Sequence, residues 1–334
     1  MTESPSLLSI TKQLRTFVND PTRFRSELGK YDGLIAGEFV RNFLEFSPWK
    51  VNSLLLYIQR GPKCQGFIKY LLQQEGYRAN SEKIVFCRDT APNLYIVIRG
   101  TREPPIIEII NKAATTADLN FISWNKVYSL LPIPTVVHHK FYPLKPFDTS
   151  LGQALRQRAK WGWTTRDLLW PDLTTQFISA TGCRQIGGRR SLIIKLGNDP
   201  PGHYAPDYSL EGSVYSVSWK DTSSGRRLSI TIRLGPNSHA LSYPHTNGEV
   251  GDSCQDWEKF LRDRLDRWAY VEIAKMEHDQ QPPGFYHMAP GKYRVSIPAT
   301  YEVPETWDYA DDQIIPWFQE WERGWKGRNE YFRI

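Results

Sequence analysis

Residues 33–58 read GLIAGEFVRNFLEFSPWKVNSLLLYI. Leu34-Ile35 open the stretch and Gly37 breaks it. Apolar residues then recur at helical spacing through Phe39, Val40, Phe43 and Leu44. A polar turn with Pro48 follows. The run Leu54-Leu55-Leu56-Tyr57-Ile58 has the length and composition of a buried strand. The spacing therefore predicts helix, loop, buried strand, and a glycine at the helix start is a place where backbone N–H groups can face a phosphate.

These residues carry a resemblance. Nucleotidyltransferase-fold proteins have Gly-Ser at a helix start and Asp-x-Asp on the next strand, and fungal families of unassigned proteins keep that frame with a Gly-Tyr further on. Gly37, Leu56-Tyr57-Ile58 and Glu75-Gly76-Tyr77 are similar to that frame. Glu38 stands in the place of the Ser, and Ser53 and Leu55 stand in the places of the two Asp. Glu108, within Ile106–Ile110 read as a strand, is the acidic residue nearest the place of a third carboxylate. The resemblance spans roughly residues 34–170 and implies a mixed sheet with helices. It does not imply nucleotidyl transfer. Hard cations bound with a triphosphate need carboxylate oxygens, which Ser53 and Leu55 cannot supply. A carboxylate at Glu38 would also repel a triphosphate. No metal site and no cofactor are expected.

With 334 residues, 40% of them hydrophobic, the chain can bury a full core. Twelve Trp argue for a contact-rich globular protein and against long disorder. The net charge of +6 favours an anionic partner over a cationic one. Cys64, Cys87, Cys183 and Cys254 show no C-x-x-C or Cys/His metal spacing and read as reduced thiols. The N-terminus has no signal-peptide core, and no apolar run reaches membrane-spanning length. A soluble cytoplasmic protein without a membrane partner is expected.

Residues 6–29 read as one or two helices, and Phe67, Ile68, Leu71 and Leu72 as an amphipathic helix ending at Gly76. Strands are expected at Lys83–Cys87, Leu94–Arg99 and Ile106–Ile110, and a helix at Leu151–Leu169. Beyond Pro171 the pattern alternates: Ser191–Lys195, Ser213–Trp219 and Arg227–Leu234 read as antiparallel strands between turn residues. Gln255–Met276 is a helix by its apolar face, and Ile314–Trp325 closes the chain with Trp317, Trp321 and Trp325 at i, i+4 and i+8, a face for the core. The fold class is α+β, with a nucleotidyltransferase-like α/β domain over 1–170. A β-rich region with C-terminal helices, 171–334, packs on it.

Three groups of residues carry possible chemistry. His138-His139-Lys140 could hold an ester or phosphate and move a proton near neutral pH; on a strand the two imidazoles face opposite ways, and each reads equally as a structural histidine. Asp311-Asp312 reads as a helix cap ahead of Pro316 rather than as a metal pair. Arg156, Arg158, Lys160 and Arg166, with Arg184, Arg189 and Arg190, interleave with Trp161 and Trp163 and read as an RNA surface or as a solvated helix face. No nucleophile elbow, P-loop, dinucleotide fingerprint or zinc motif occurs.

Two functional expectations follow. An already activated acyl group, such as an aminoacyl ester of tRNA, reacts without a metal-bound triphosphate. The chain is weakly similar to fungal arginine-containing cyclodipeptide synthases, although Asp311-Asp312-Gln313-Ile314-Ile315 lacks the Glu of that family's Asp-Asp-x-x-Glu motif. Under this reading His138, His139 and Glu108 serve catalysis. Gly37, Glu38, Ser53 and Lys140 hold substrate, and Glu38 or Glu108 pairs an arginine guanidinium. The alternative is a catalytically dead module that binds RNA or protein, since a fold does not fix a function.

Overall fold

The stretch 33–58 folds in a computed structural model as a short strand, a helix and a long strand. The structure describes residues 9–46, 50–80, 82, 84–146, 148–160, 162–163, 181–222, 225–249, 252–282, 285, 297–298 and 300–331. Two N-terminal helices, α1 (Ile10–Leu14) and α2 (Pro21–Lys30), come first, each capped by a side chain, Ser9 and Asp20. Strand β1 (Leu34–Ala36) leads through Gly37 into α3 (Glu38–Leu44). Gly37 has φ 79°, a left-handed conformation suited to glycine. Strand β2 (Ser53–Gln59) returns antiparallel to β1, pairing Ala36 with Leu55. Helix α4 (Pro62–Gln73) is followed by β3 (Arg78–Ala79), β4 (Val85–Arg88) and β5 (Ala91–Thr101). β5 lies parallel to β2, from Ser53 opposite Tyr95 to Gln59 opposite Thr101. The α4 crossover permits that parallel pairing.

The expected strand at Ile106–Ile110 is instead helix α5 (Pro105–Lys112). A short apolar run does not distinguish strand from buried helix. Pro105 at the first helical position decides for helix, because its missing N–H is not needed there. Strands β6 (Asn120–Ile122) and β7 (Lys126–Ser129) follow, then α6 (Thr149–Lys160), β8 (Gly182–Gln185) and β9 (Leu192–Lys195). α6 ends earlier than the expected Leu169; residues 164–170, Arg166 among them, lie outside the described residues.

One mixed sheet has the order β3-β4-β5-β2-β1-β6-β7-β9. β9 was expected among the later antiparallel strands. It joins this sheet beside β7, with Lys126 opposite Lys195 and Ser129 opposite Leu192. Arg25 of α2, 2% exposed, holds the chain beyond β9. Its guanidinium donates to the carbonyls of Trp124, Gly197 and Asn198 at 2.7–3.1 Å. Leu54, Leu56 and Ile58 of β2 share a core with Phe39, Val40, Phe43 and Leu44 of α3, Phe24 and Leu28 of α2, and Phe67 and Leu71 of α4. Successive strand residues face opposite sides, so Leu55 and Tyr57 face the other side. The Glu75-Gly76-Tyr77 motif is a clamp. Glu75 accepts from the Tyr70 hydroxyl (2.6 Å) and the Asn19 backbone N–H (2.7 Å), and the Tyr77 hydroxyl donates to the Phe17 carbonyl.

The later elements are α7 (Asp207–Glu211), β10 (Val214–Thr222), β11 (Gly225–Thr231), β12 (Arg233–Leu234), β13 (Thr246–Asn247), α8 (Asp252–Ala274) and α9 (Ile314–Tyr331). The chain forms two compact units. The first takes in Met1–Thr181, Arg189–Ala205 and Ser218–Ile230; the second takes in Gly182–Gly188, Pro206–Val217 and Thr231–Ile334. Neither is one continuous stretch, and the expected boundary at residue 170 lies outside the described residues. In the second unit β8 pairs antiparallel with the start of β10. Its core stacks Trp257, Leu261, Leu265, Ala269 and Ile273 of α8 against Trp317, Phe318 and Trp321 of α9. The Trp257 ring lies 5.0 Å from Phe318 and 5.6 Å from Trp321. The tryptophan stripe is therefore core at Trp317 and Trp321; the Trp325 side chain lies outside the described residues.

Asp311 is no helix cap. It is 4% exposed, and its two oxygens accept the backbone N–H groups of Ser242 (2.8 Å) and Tyr243 (2.9 Å). A carboxylate that satisfies two backbone donors ties the loop at 242–243 to the entrance of α9. Among the described residues, no helix is long and apolar enough to cross a membrane.

Candidate functional site

Gly37 and Glu38 sit where β1 passes into α3, and the β1–β2 register brings Ser53 to the same end of the sheet. The Glu38 side chain is 39% exposed, and its Oε1 lies 3.9 Å from the Arg41 guanidinium, which is nearly buried. One helical turn further, at the end of α3, is Glu45. The Trp163 indole N–H donates to Glu45 Oε2 at 3.3 Å. Burial pushes the Glu45 carboxyl above the usual carboxylate range; the Trp163 bond and the nearby charges of Arg41 and His139 oppose that rise in part. The His139 ring stands edge-on to Trp163 at 5.9 Å, and Phe141 packs on the same indole at 5.7 Å. Phe141 and Trp163 share a small core with Ala117.

The fold thus connects two expected site residues, Glu38 and His139, through Arg41, Glu45 and Trp163, which sequence reasoning did not single out. The signal was available. Glu38, Arg41 and Glu45 fall at i, i+3 and i+7, a charged stripe along a helix whose apolar residues Phe39, Val40, Phe43 and Leu44 face the core.

His138 and His139 do not lie on a strand, so strand alternation does not divide them. Residues Ile133–Val137 make a π-helical turn, His138 follows it, and His139 has φ 49°. Prolines 132 and 134 exclude regular strand pairing here. The turn closes through His138 N–H to the Ile133 carbonyl (3.1 Å) and Lys140 N–H to the Pro134 carbonyl (2.8 Å). Both imidazoles are exposed and Lys140 is half-buried. Glu108 is on α5, where Lys112 pairs with it at 2.5 Å one turn along.

Of the basic residues, Arg156, Arg189 and Arg190 are exposed in the first unit. The side chains of Arg158 and Lys160 lie outside the described residues. Arg184 is buried in β8, 5% exposed, and does not present its charge to a polyanion.

Chemically, the α3 stripe is a desolvated carboxyl beside a guanidinium and an accessible imidazole. Such a set brings together the residue types that proton transfer uses. Among the described residues, no group of three or more His, Cys, Asp or Glu is placed to hold a metal ion. No family model, curated protein or solved structure matches this chain.

Proposed function

We propose that this chain is an aminoacyl-tRNA-dependent acyl transferase that forms an arginine-containing diketopiperazine on a nucleotidyltransferase-like frame. The observation that carries the reading is Glu45, raised by burial within the Glu38–Arg41–Glu45 stripe and beside His139. In the reaction, the amine of one aminoacyl group attacks the ester carbonyl of another. The ester C–O bond breaks and the RNA hydroxyl leaves with a proton; the remaining amine of the dipeptide then attacks the second ester carbonyl, closing the ring as that C–O bond breaks and the second RNA hydroxyl leaves with a proton. The amine must first lose a proton, and a carboxyl whose pKa lies above the ordinary range is the better acceptor near neutral pH. Glu38 is half-exposed, so an incoming guanidinium can reach its carboxylate. Support for the nucleotidyltransferase-like frame comes from β1, the left-handed Gly37, α3 and the antiparallel return of β2 with Ala36 opposite Leu55. Exposed Arg156, Arg189 and Arg190 are the residues offered to the RNA backbone, with Arg158, Lys160 and Arg166 on the same sequence segment as Arg156.

The test is expression in a bacterial host and mass spectrometry of the medium for arginine-containing diketopiperazines. Product from the native chain and its loss in Glu45→Gln support the reading; no product from a folded, tRNA-binding chain overturns it.

A second reading, a module that binds RNA or protein without turnover, is favoured by one feature. Apolar side chains next to the stripe and the His turn are exposed: Phe46 at 53%, Ile133 at 40% and Val137 at 64%. Exposed apolar groups of this size mark contact surfaces when they adjoin one another. Tight tRNA binding without any product selects this second reading.

A further inference from the structure

The second unit holds a pair of thiols that the proposed acyl transfer does not use. Cys183 on β8 and Cys254 in the first turn of α8 are separated by 71 positions in sequence, yet their sulfurs lie 2.9 Å apart. Both are free thiols. The backbone around them is built for close approach. Gly182 has φ 120°, and a Cβ there would come within 3.1 Å of Ser253 Oγ; a Cβ on Gly248 would sit 2.8 Å from Cys254 Sγ. The Cys183 backbone N–H donates to Ser253 Oγ (3.2 Å), and the Asn247 side-chain amide donates to the Cys254 carbonyl (3.3 Å). Asn247 also donates to Glu258 (2.9 Å), which Arg233 pairs, so the strand and the helix start are locked to each other.

We propose that Cys183 and Cys254 form a reversible redox site, a dithiol that a small hydroperoxide oxidises to a disulfide. The two sulfurs have different parts. Cys183 is partly exposed and Cys254 is 2% exposed, so a peroxide meets Cys183 first. Its sulfur attacks the peroxide, the O–O bond breaks, Cys183 becomes a sulfenic acid, and the departing alkoxide takes the thiol proton to leave as an alcohol. Cys254 then attacks the Cys183 sulfur. The S–S bond forms, the S–O bond breaks, and hydroxide leaves as water with the second thiol proton. Two thiols lose two protons and two electrons, and the hydroperoxide gains them. The hydrogen bond with Cys183 draws the Cys254 thiol down, and Ser253, the Gly248 backbone and the nearby Arg233 charge add to it; a position in the first turn of a long helix acts the same way. Burial lifts the Cys183 thiol, so exposure and not acidity makes Cys183 the sulfur that meets the peroxide, and Cys254 lies within reach to resolve the sulfenic acid.

Cys87 is exposed and Cys64 is half-buried, so both serve as internal controls. The purified chain is treated with hydrogen peroxide, alkylated, digested and mapped by mass spectrometry. The expected result is a peptide linking Cys183 to Cys254, lighter by two hydrogens, that dithiothreitol reopens. Cys64 and Cys87 stay out of any link. In Cys254→Ser the same treatment leaves Cys183 as sulfenic acid, trapped by dimedone, or carries it on to sulfinic acid. If Cys254→Ser does not fold, the native map with a dimedone time course decides: transient label on Cys183 must precede the link. Overturning results are two alkylatable thiols after a peroxide dose that oxidises Cys87, or a Cys183 that reaches sulfinic acid in the native chain without any link to Cys254.

Discussion

The α3 stripe of the first unit and the β8–α8 junction of the second both bury titratable groups; burial lifts Glu45 in the first and Cys183 in the second, while Cys254 beside Cys183 is drawn down. Burial lifts Glu45 because its charged form loses water and the single indole donor does not replace it. Cys254 is more enclosed than Glu45, yet its thiol is drawn down, because hydrogen bonds and a helix start favour the charged sulfur. Within the same second unit, His245 is buried and its pKa falls to about 4, since here burial penalises the cation. Burial therefore fixes the sign of a shift only where donors do not outweigh it.

The largest expected effect breaks the first half of the comparison. Glu45→Gln should lower diketopiperazine formation on the order of 10²–10⁴-fold, the usual range for a general base. Stability should behave differently. Glu45 has a raised folded pKa, so its contribution is present below its unfolded pKa and is lost as pH rises through the folded value. At pH 7 the Gln variant should be as stable as the native chain or more so, and below pH 4.5 it should lose its relative advantage. Urea melts at both pH values beside product yield check this. Full yield with reduced stability at pH 7 would make Glu45 scaffold.

His245 sharpens the other half. Its folded pKa of about 4 lies below the ordinary 6.5, so the unfolded chain binds the extra proton first. Stability is full above pH 6.5 and falls through the window down to about pH 4, by on the order of 3 kcal/mol at one proton and 1.36 kcal/mol per pH unit. His245→Gln should flatten that segment of a pH–stability profile. An unchanged slope in the variant places the acid sensitivity elsewhere.

Asp311 separates hydrogen bonding from burial. Like Glu45 it is an enclosed carboxyl, but two backbone N–H groups meet it. Asp311→Ala should cost roughly 2–3 kcal/mol, for two hydrogen bonds to a charged group and two donors left behind. Asp311→Asn should cost about 1 kcal/mol, because the amide offers one acceptor oxygen. Equal costs for the two variants in urea melts would show that the charge and not the acceptor count sets the loop.

The smallest effect on stability concerns the surface. Replacing Arg156, Arg158, Lys160 and Arg189 together by Gln should shift folding by no more than about 0.5 kcal/mol. Affinity for tRNA should nevertheless fall, and its dependence on salt should flatten with the lost phosphate contacts. Unchanged affinity at low salt would remove this surface from the proposed RNA contact.

Several elements were legible in the sequence because their periods are long or their punctuation is strong. The spacing of Phe39, Val40, Phe43 and Leu44 after Gly37 marked α3, and the run Leu54–Ile58 marked β2. Trp257 through Ile273 marked α8. Ile106–Ile110 was misread because four isoleucines around Glu108 fit either period, and the deciding residue was Pro105 outside the run. The sequence left open whether His138 and His139 lie on a strand; two prolines and a left-handed His139 make a turn. Asp311 sat where a cap should be, and its true partners are 68 and 69 positions away. Of the candidate site, Glu38 and His139 were found by residue type, while Arg41, Glu45 and Trp163 were not.

By itself the sequence determined the α+β class, the helix–strand order of residues 33–58, the apolar faces of α8 and α9, and a basic charge balance. These follow from local periodicity and composition, which neighbouring residues set. Only the tertiary structure decided that β9 extends the first sheet, that Trp163 reaches Glu45 across 118 positions, and that Cys183 meets Cys254 across 71. Such contacts depend on chain closure over long loops, whose entropy cost varies slowly with length and leaves no periodic mark in the sequence. The pKa of a buried group depends on the donors that closure brings to it, so the chemistry of both regions is a property of the fold and not of any single stretch.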